Sequence, residues 1–106
     1  MKIGLFSTFM SPIADPDMIQ TFAQNIEAMG VESLWMGEHV VLFDKTSNPY
    51  PGSRDGKLPV PEGGGMLDTV ATFGFIAGCT SSLRLGTGIT LLPRLNQSRV
   101  GNSLAV

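Results

Sequence analysis

The stretch of this 106-residue chain best equipped for chemistry is Ser33-Leu34-Trp35-Met36-Gly37-Glu38-His39, which holds its only histidine. An imidazole titrates near pH 6.5, so on general grounds it can give or take a proton under physiological conditions. Read from the residues alone, His39 is more simply a cap on a helix or loop. Glu38 stands beside it, and neighbouring strand residues point to opposite faces. Glu38 therefore reads as a salt-bridge residue behind the site rather than a second acid within it. A second stretch, Leu83-Arg84-Leu85-Gly86-Thr87-Gly88-Ile89-Thr90-Leu91-Leu92-Pro93, carries two closely spaced glycines. Glycine inside a strand marks close packing or a break in the pleat. Both stretches read as buried parallel strands whose C-terminal ends run into polar or glycine-rich residues. Open α/β sheets and (β/α) barrels place their sites at that edge.

Other side chains carry less. Trp35 and Met36 read as core. Phe6, Ser7 and Phe9, near the end of a first strand, are positioned to line a pocket, though nothing chemical marks them. Cys79 has no cationic neighbour close in sequence and reads as a small helix hydrophobe. As the single cysteine it excludes an internal disulfide framework and leaves no metal-ligand cluster. Arg84 stands at the start of its strand, the stability face of a barrel rather than the catalytic one.

The elements that must position these residues follow from pattern. Residues 2–6 form a short apolar strand. Asp15-Pro16-Asp17 reads as a helix start: a capping carboxylate, a proline suited to the first turn, and an acid at the positive end of the dipole. Ile19, Phe22, Ala23, Ile26 and Met29 then recur on one helical face, and Gly30 closes the helix. Ser33 to Met36 is the second strand, completing a βαβ unit whose strands should be parallel with a right-handed crossover. Residues 37–67 are rich in turn formers, including Asn48-Pro49-Tyr50-Pro51-Gly52 and Gly63-Gly64-Gly65. A loop of that length is more often functional or mobile than filler. Asp68 caps a second helix running to about Cys79, apolar nearly all round and so expecting cover on more than one side. Residues 83–92 are the third strand, and 94–106 show no period.

Composition narrows the function class. Seven basic and nine acidic side chains give a net charge of −2 with no basic stripe, which argues against nucleic acid as a partner. No apolar run reaches the ~20 residues of a membrane helix, and the N-terminus does not read as a signal peptide. A cytoplasmic, reduced setting is the simplest expectation. A dinucleotide-binding Rossmann half is disfavoured, because Ser7-Thr8-Phe9-Met10-Ser11-Pro12 follows the first strand with no glycine. The triple glycine at 63–65 is flanked by Glu62 and Asp68, so a phosphate would meet like charge there. A flexible hinge is the better reading.

Taken together, Lys2-Ile3-Gly4-Leu5-Phe6, Met29-Gly30-Val31, Ser33 to His39 and Leu85-Gly86-Thr87-Gly88-Ile89 resemble the N-terminal third of the bacterial-luciferase-like superfamily of flavin- and deazaflavin-dependent oxidoreductases. The resemblance implies the first three strands of a (β/α)8 TIM barrel, incomplete here, over residues 1–93. By resemblance, the cofactor ring sits over the C-terminal mouth of the barrel in an apolar pocket that keeps water away. His39 then faces the ring as proton donor, proton acceptor or substrate contact. Gly88-Ile89 matches a bulge beneath the ring that is often a cis peptide, against the simpler reading that the glycines only allow close packing. Ser7 joins Gly88 and Ile89 as a cofactor neighbour by position. The loop around Asn48-Pro49-Tyr50-Pro51 is similar to one in a subgroup assigned to the deazaflavin coenzyme F-420. This favours F-420 mildly over FMN, with a small organic molecule as substrate.

Residues 94–106 depart from the family pattern, in which a long amphipathic helix would follow. The resemblance therefore implies a truncated oxidoreductase, inactive alone, whose cofactor-phosphate residues fall beyond 106. Three parallel strands without closure leave an apolar edge open to self-association. The alternative is a non-catalytic remnant or interaction module completed by a partner chain.

Overall fold

The computed structural model describes residues 1–38, 48–57, 60–61 and 63–90. Its elements run β1 (Gly4–Phe6), α1 (Pro16–Ala28), β2 (Ser33–Met36), α2 (Thr69–Cys79) and β3 (Arg84–Thr87). The sheet order is β1-β2-β3 and both pairings are parallel. The expected alternation of strand and helix is therefore present, with β2 and both capping residues at the expected positions.

Local chemistry explains the helix ends. Asp15 Oδ1 accepts the Met18 amide at 2.7 Å and Pro16 opens α1. At the other end Gly30 takes φ +81°. There the Val31 amide reaches Ile26 O at 3.0 Å and the Gly30 amide reaches Glu27 O at 2.9 Å. That bond pair is a Schellman closure, and only glycine enters its left-handed position without strain. Asp68 Oδ1 accepts the Ala71 amide at 2.9 Å to start α2.

β1 and β3 are shorter than the sequence suggests, because pairing is set by the middle strand. β2 offers partners only from Ser33 to Met36, so β1 begins at Gly4 and β3 ends at Thr87. Gly88 already bends away. Residues 91–106, and with them the expected end of the third strand and the tail expected to be irregular, lie outside the described residues.

Register sorts the sheet into two faces, since paired residues of parallel strands share a face. Leu5, Leu34 and Leu85 form one row, on the side where Leu34 and Met36 join Ile19, Ala23, Ile26 and Ile76 in the buried core. Phe6, Trp35 and Gly86 form the adjacent row on the opposite face. Among the described residues no helix covers it, and Phe6 is 62% and Trp35 43% exposed. The reading of Trp35 as core is thus overturned, whereas Met36 is fully buried. A short strand alternates its side chains, and the helices of this unit lie on the other side. Likewise α2 turns Thr69, Thr72 and Ile76 inward while Phe75 stays exposed. The cover expected on its further sides is absent among the described residues.

The triple glycine is a packed strap rather than a hinge. Met10 and Met66 form an antiparallel bridge, the Ser11 amide donates to Gly65 O at 2.9 Å, and the Gly65 amide donates to Ser11 Oγ at 3.0 Å. A Cβ on Gly64 would collide with the Ser11 carbonyl. The 63–66 segment is thereby stitched to the loop after β1.

Candidate functional site

The three strands end together. The Ser7 amide donates to Trp35 O at 2.9 Å, and the Gly88 amide donates to Met36 O at 2.7 Å. Thr69 Oγ1, almost wholly buried, donates to Gly37 O at 3.1 Å and ties the start of α2 to the exit of β2. The C-terminal edge of the sheet therefore presents Ser7, Gly37-Glu38 and Gly88-Ile89 side by side. Ser7 is half-buried, Glu38 is buried, and Gly88 and Ile89 are exposed. His39, the expected proton carrier, lies outside the described residues.

The Gly88-Ile89 step differs from the expected cis bulge. Among the described residues the cis bond is Ser11-Pro12, so the 88–89 peptide is trans. A bend remains, because the chain has run out of β2 to pair with. The packing reading of the glycines is realised at both positions. A Cβ on Gly86 would stand 2.7 Å from Trp35 Cε3, and one on Gly88 would stand 2.9 Å from Phe6 Cε2.

Beyond Ser7 the chain lines an open apolar groove of about 340 Å³ with Thr8, Phe9, Met10, Ile13, Val60 and Pro61. Its size falls in the range of small-molecule pockets. Phe6 and Ile89 give this edge apolar surface, and the Phe6 ring occupies the space that side chains at Gly37 and Gly88 would take. Among the described residues no group of three His, Cys, Asp or Glu side chains is placed to hold a metal ion.

Charge gathers at the opposite edge. Glu32 Oε1 meets Arg84 Nη1 at 2.9 Å and Lys2 Nζ at 3.2 Å, clasping the starts of all three strands. Those bonds, Arg84 first, hold its carboxyl below the ordinary carboxylate range. Glu27 Oε1 accepts the amides of Ser81, Ser82 and Leu83 and the Ser82 hydroxyl. The Ser82 amide is the largest cause of the lowering of its pKa. Arg84 thus stands at the N-terminal edge of the sheet, as expected, away from the strand ends that form the candidate site. Glu27 and Glu32 were not singled out from sequence, since the groups they hold lie 30 to 56 residues away. Phe6 was noted only as a pocket lining, although Gly37 and Gly88 at the neighbouring strand ends are the signal that its ring crosses them.

No helix among the described residues is long and apolar enough to cross a membrane. No curated protein and no solved structure matches the chain. A family model described as luciferase-like monooxygenase, however, matches residues 1–106. With parallel strands whose ends converge on a glycine-lined edge, the chain belongs to the luciferase-like monooxygenase family.

Proposed function

We propose that this chain is the N-terminal, three-strand part of a (β/α)8 oxidoreductase that holds a reduced flavin or deazaflavin against a small organic substrate. The observation carrying this reading is the convergence of Ser7, Gly37 and Gly88 at the C-terminal edge of one parallel sheet, where α/β enzymes assemble their sites. Ser7, Gly88 and Ile89 would lie under and beside the ring. His39, one residue past the buried Glu38, would carry the proton, and the groove from Thr8 to Pro61 would admit the substrate. When bound, a deazaflavin supplies hydride without oxygen, whereas a flavin supports monooxygenation. Likeness of the 40–65 loop to the F-420 subgroup favours the deazaflavin. A cytoplasmic setting fits a chain with one unpaired cysteine.

The three described strands provide less than half of an eight-stranded wall, so binding by them alone should be weak and without turnover. Titration of the purified chain with FMN and, separately, with F-420 tests the reading. Saturable binding below about 100 µM supports it, an affinity of roughly −5.5 kcal/mol. A second reading, an interaction module completed by a partner chain, is favoured by the face bearing Phe6 and Trp35, which no described helix covers. Loss of saturable binding together with self-association would shift the weight to that reading. Turnover by the purified chain would overturn the view that it is inactive alone.

A further inference from the structure

We propose that Phe6 is a positioning residue for the candidate site: its ring sets the relation between the strand ends at Gly37 and Gly88. This rests on the flavin-type reading above. Phe6 belongs to β1, and Gly88 follows β3, two strand spacings or roughly 9–10 Å across the sheet. A single side chain bridges that span only where nothing projects from the strand between. Gly37, at the exit of β2, meets that need: a Cβ there would stand 3.3 Å from Phe6 Cζ. The ring continues to Gly88, where a Cβ would stand 2.9 Å from Cε2, closer than real Cβ contacts come.

One ring therefore touches the segment leading to His39 and the segment proposed beneath the cofactor. Packing against the described helices does not account for the arrangement, because Phe6 is 62% exposed and lies on the face away from them. The row below repeats the device with a different outcome. Trp35 lies over Gly86 and Gly4, glycines within the sheet, and its Nε1 donates to Ser33 Oγ at 3.0 Å. Its indole fills the sheet's face, whereas the Phe6 ring fills the gap between strand ends. Backbone bonds tie each outer strand end to β2, from Gly88 to Met36 and from Ser7 to Trp35, and not to each other. The ring supplies the second constraint, from β1 directly to the end of β3.

The test is a double-mutant cycle in the full 106-residue chain: Phe6→Ala, Phe6→Leu, Gly88→Ala and Phe6→Ala/Gly88→Ala. Each is titrated with FMN and with F-420, read by emission of Trp35, the single tryptophan, and by the visible circular dichroism induced in the bound cofactor. Thermal midpoints are recorded alongside. Phe6→Ala and Gly88→Ala should each weaken binding about tenfold, Phe6→Leu about two- to threefold, and the double variant no more than the weaker single, because coupled sites are not additive. The induced band should change shape in Phe6→Ala, which a loss of stability alone would not produce. An unchanged dissociation constant in Phe6→Ala, or additive losses in the double variant, would overturn the proposal. If the parent chain binds neither cofactor, the flavin-type reading fails. The thermal midpoints then decide the remainder: coupling upholds Phe6 as the link between strand ends, and additivity removes it. Should Phe6→Ala not fold, Gly37→Ala, with its milder approach to the ring, takes its place in the same cycle.

Discussion

Glu27 concentrates four donors on one carboxylate oxygen, three of them the successive amides of Ser81, Ser82 and Leu83. It joins the last turn of α1 to the turn that feeds β3, so its loss loosens the third strand rather than a surface ion pair. The sign follows from its lowered pKa, caused first by the Ser82 amide, from an ordinary 4.5. A depressed carboxyl adds stability at pH values above its unfolded pKa, and that contribution is lost as pH falls through the folded value. Glu27→Gln should therefore lower the thermal midpoint at pH 7, and the two curves should converge below about pH 4.5. Melting the two proteins between pH 3 and 7 measures this, and a constant gap across that range would contradict it. Such residues are hard to read in advance. Nothing local announces that Glu27 will meet a turn 54 residues on, just as nothing local says which face of a four-residue strand Trp35 will take. Arg84, in contrast, was legible because its place at the start of a strand already fixes the edge it occupies.

At the scale of elements, the legible parts are those with local causes. Asp15, Asp68 and Gly30 act within a turn of their own position, and each does what its chemistry dictates. Asp15→Ala should destabilise the chain by about 1 kcal/mol through loss of the cap on α1. Gly30→Ala should do so by about 1–2 kcal/mol, through the left-handed conformation alone, since no atom crowds a Cβ there. Urea midpoints with unchanged slope would check both. An effect of Gly30→Ala below a few tenths of a kcal/mol would mean that the turn relaxes freely. Strand lengths were less legible, because β1 begins where β2 begins and β3 ends where β2 ends. The strap at 63–66 was not legible at all: its glycines signal close approach, but the approaching chain, Ser11, lies more than 50 residues earlier.

At the scale of the whole molecule, the described residues form a parallel sheet with helices on one face, an arrangement that in other α/β proteins is covered on both. The row of Phe6, Trp35 and Gly86 is the uncovered side, and in a closed barrel it would face inward. Exposed aromatic surface of this kind drives association in water. The isolated chain should therefore self-associate, with an apparent mass that rises between about 10 µM and about 500 µM by mass action. Because the contact is apolar, added salt should not weaken it, unlike an assembly held by Lys2, Glu32 and Arg84 at the other edge. Trp35→Lys discriminates further. It places a charge on the open face, and the one side-chain hydrogen bond it breaks, to Ser33, lies on that same face rather than in the core beneath the helices. Sedimentation velocity should show the variant shifted toward monomer, with its far-ultraviolet circular dichroism unchanged. If the parent is monomeric throughout that range and melts cooperatively, the open face is stable in water as it stands. Neither barrel closure nor a partner would then be required by its surface chemistry. If association persists in Trp35→Lys, the contact runs through a strand edge instead, where the outer backbone groups of β1 or β3, which pair with no other strand among the described residues, would be the next to block.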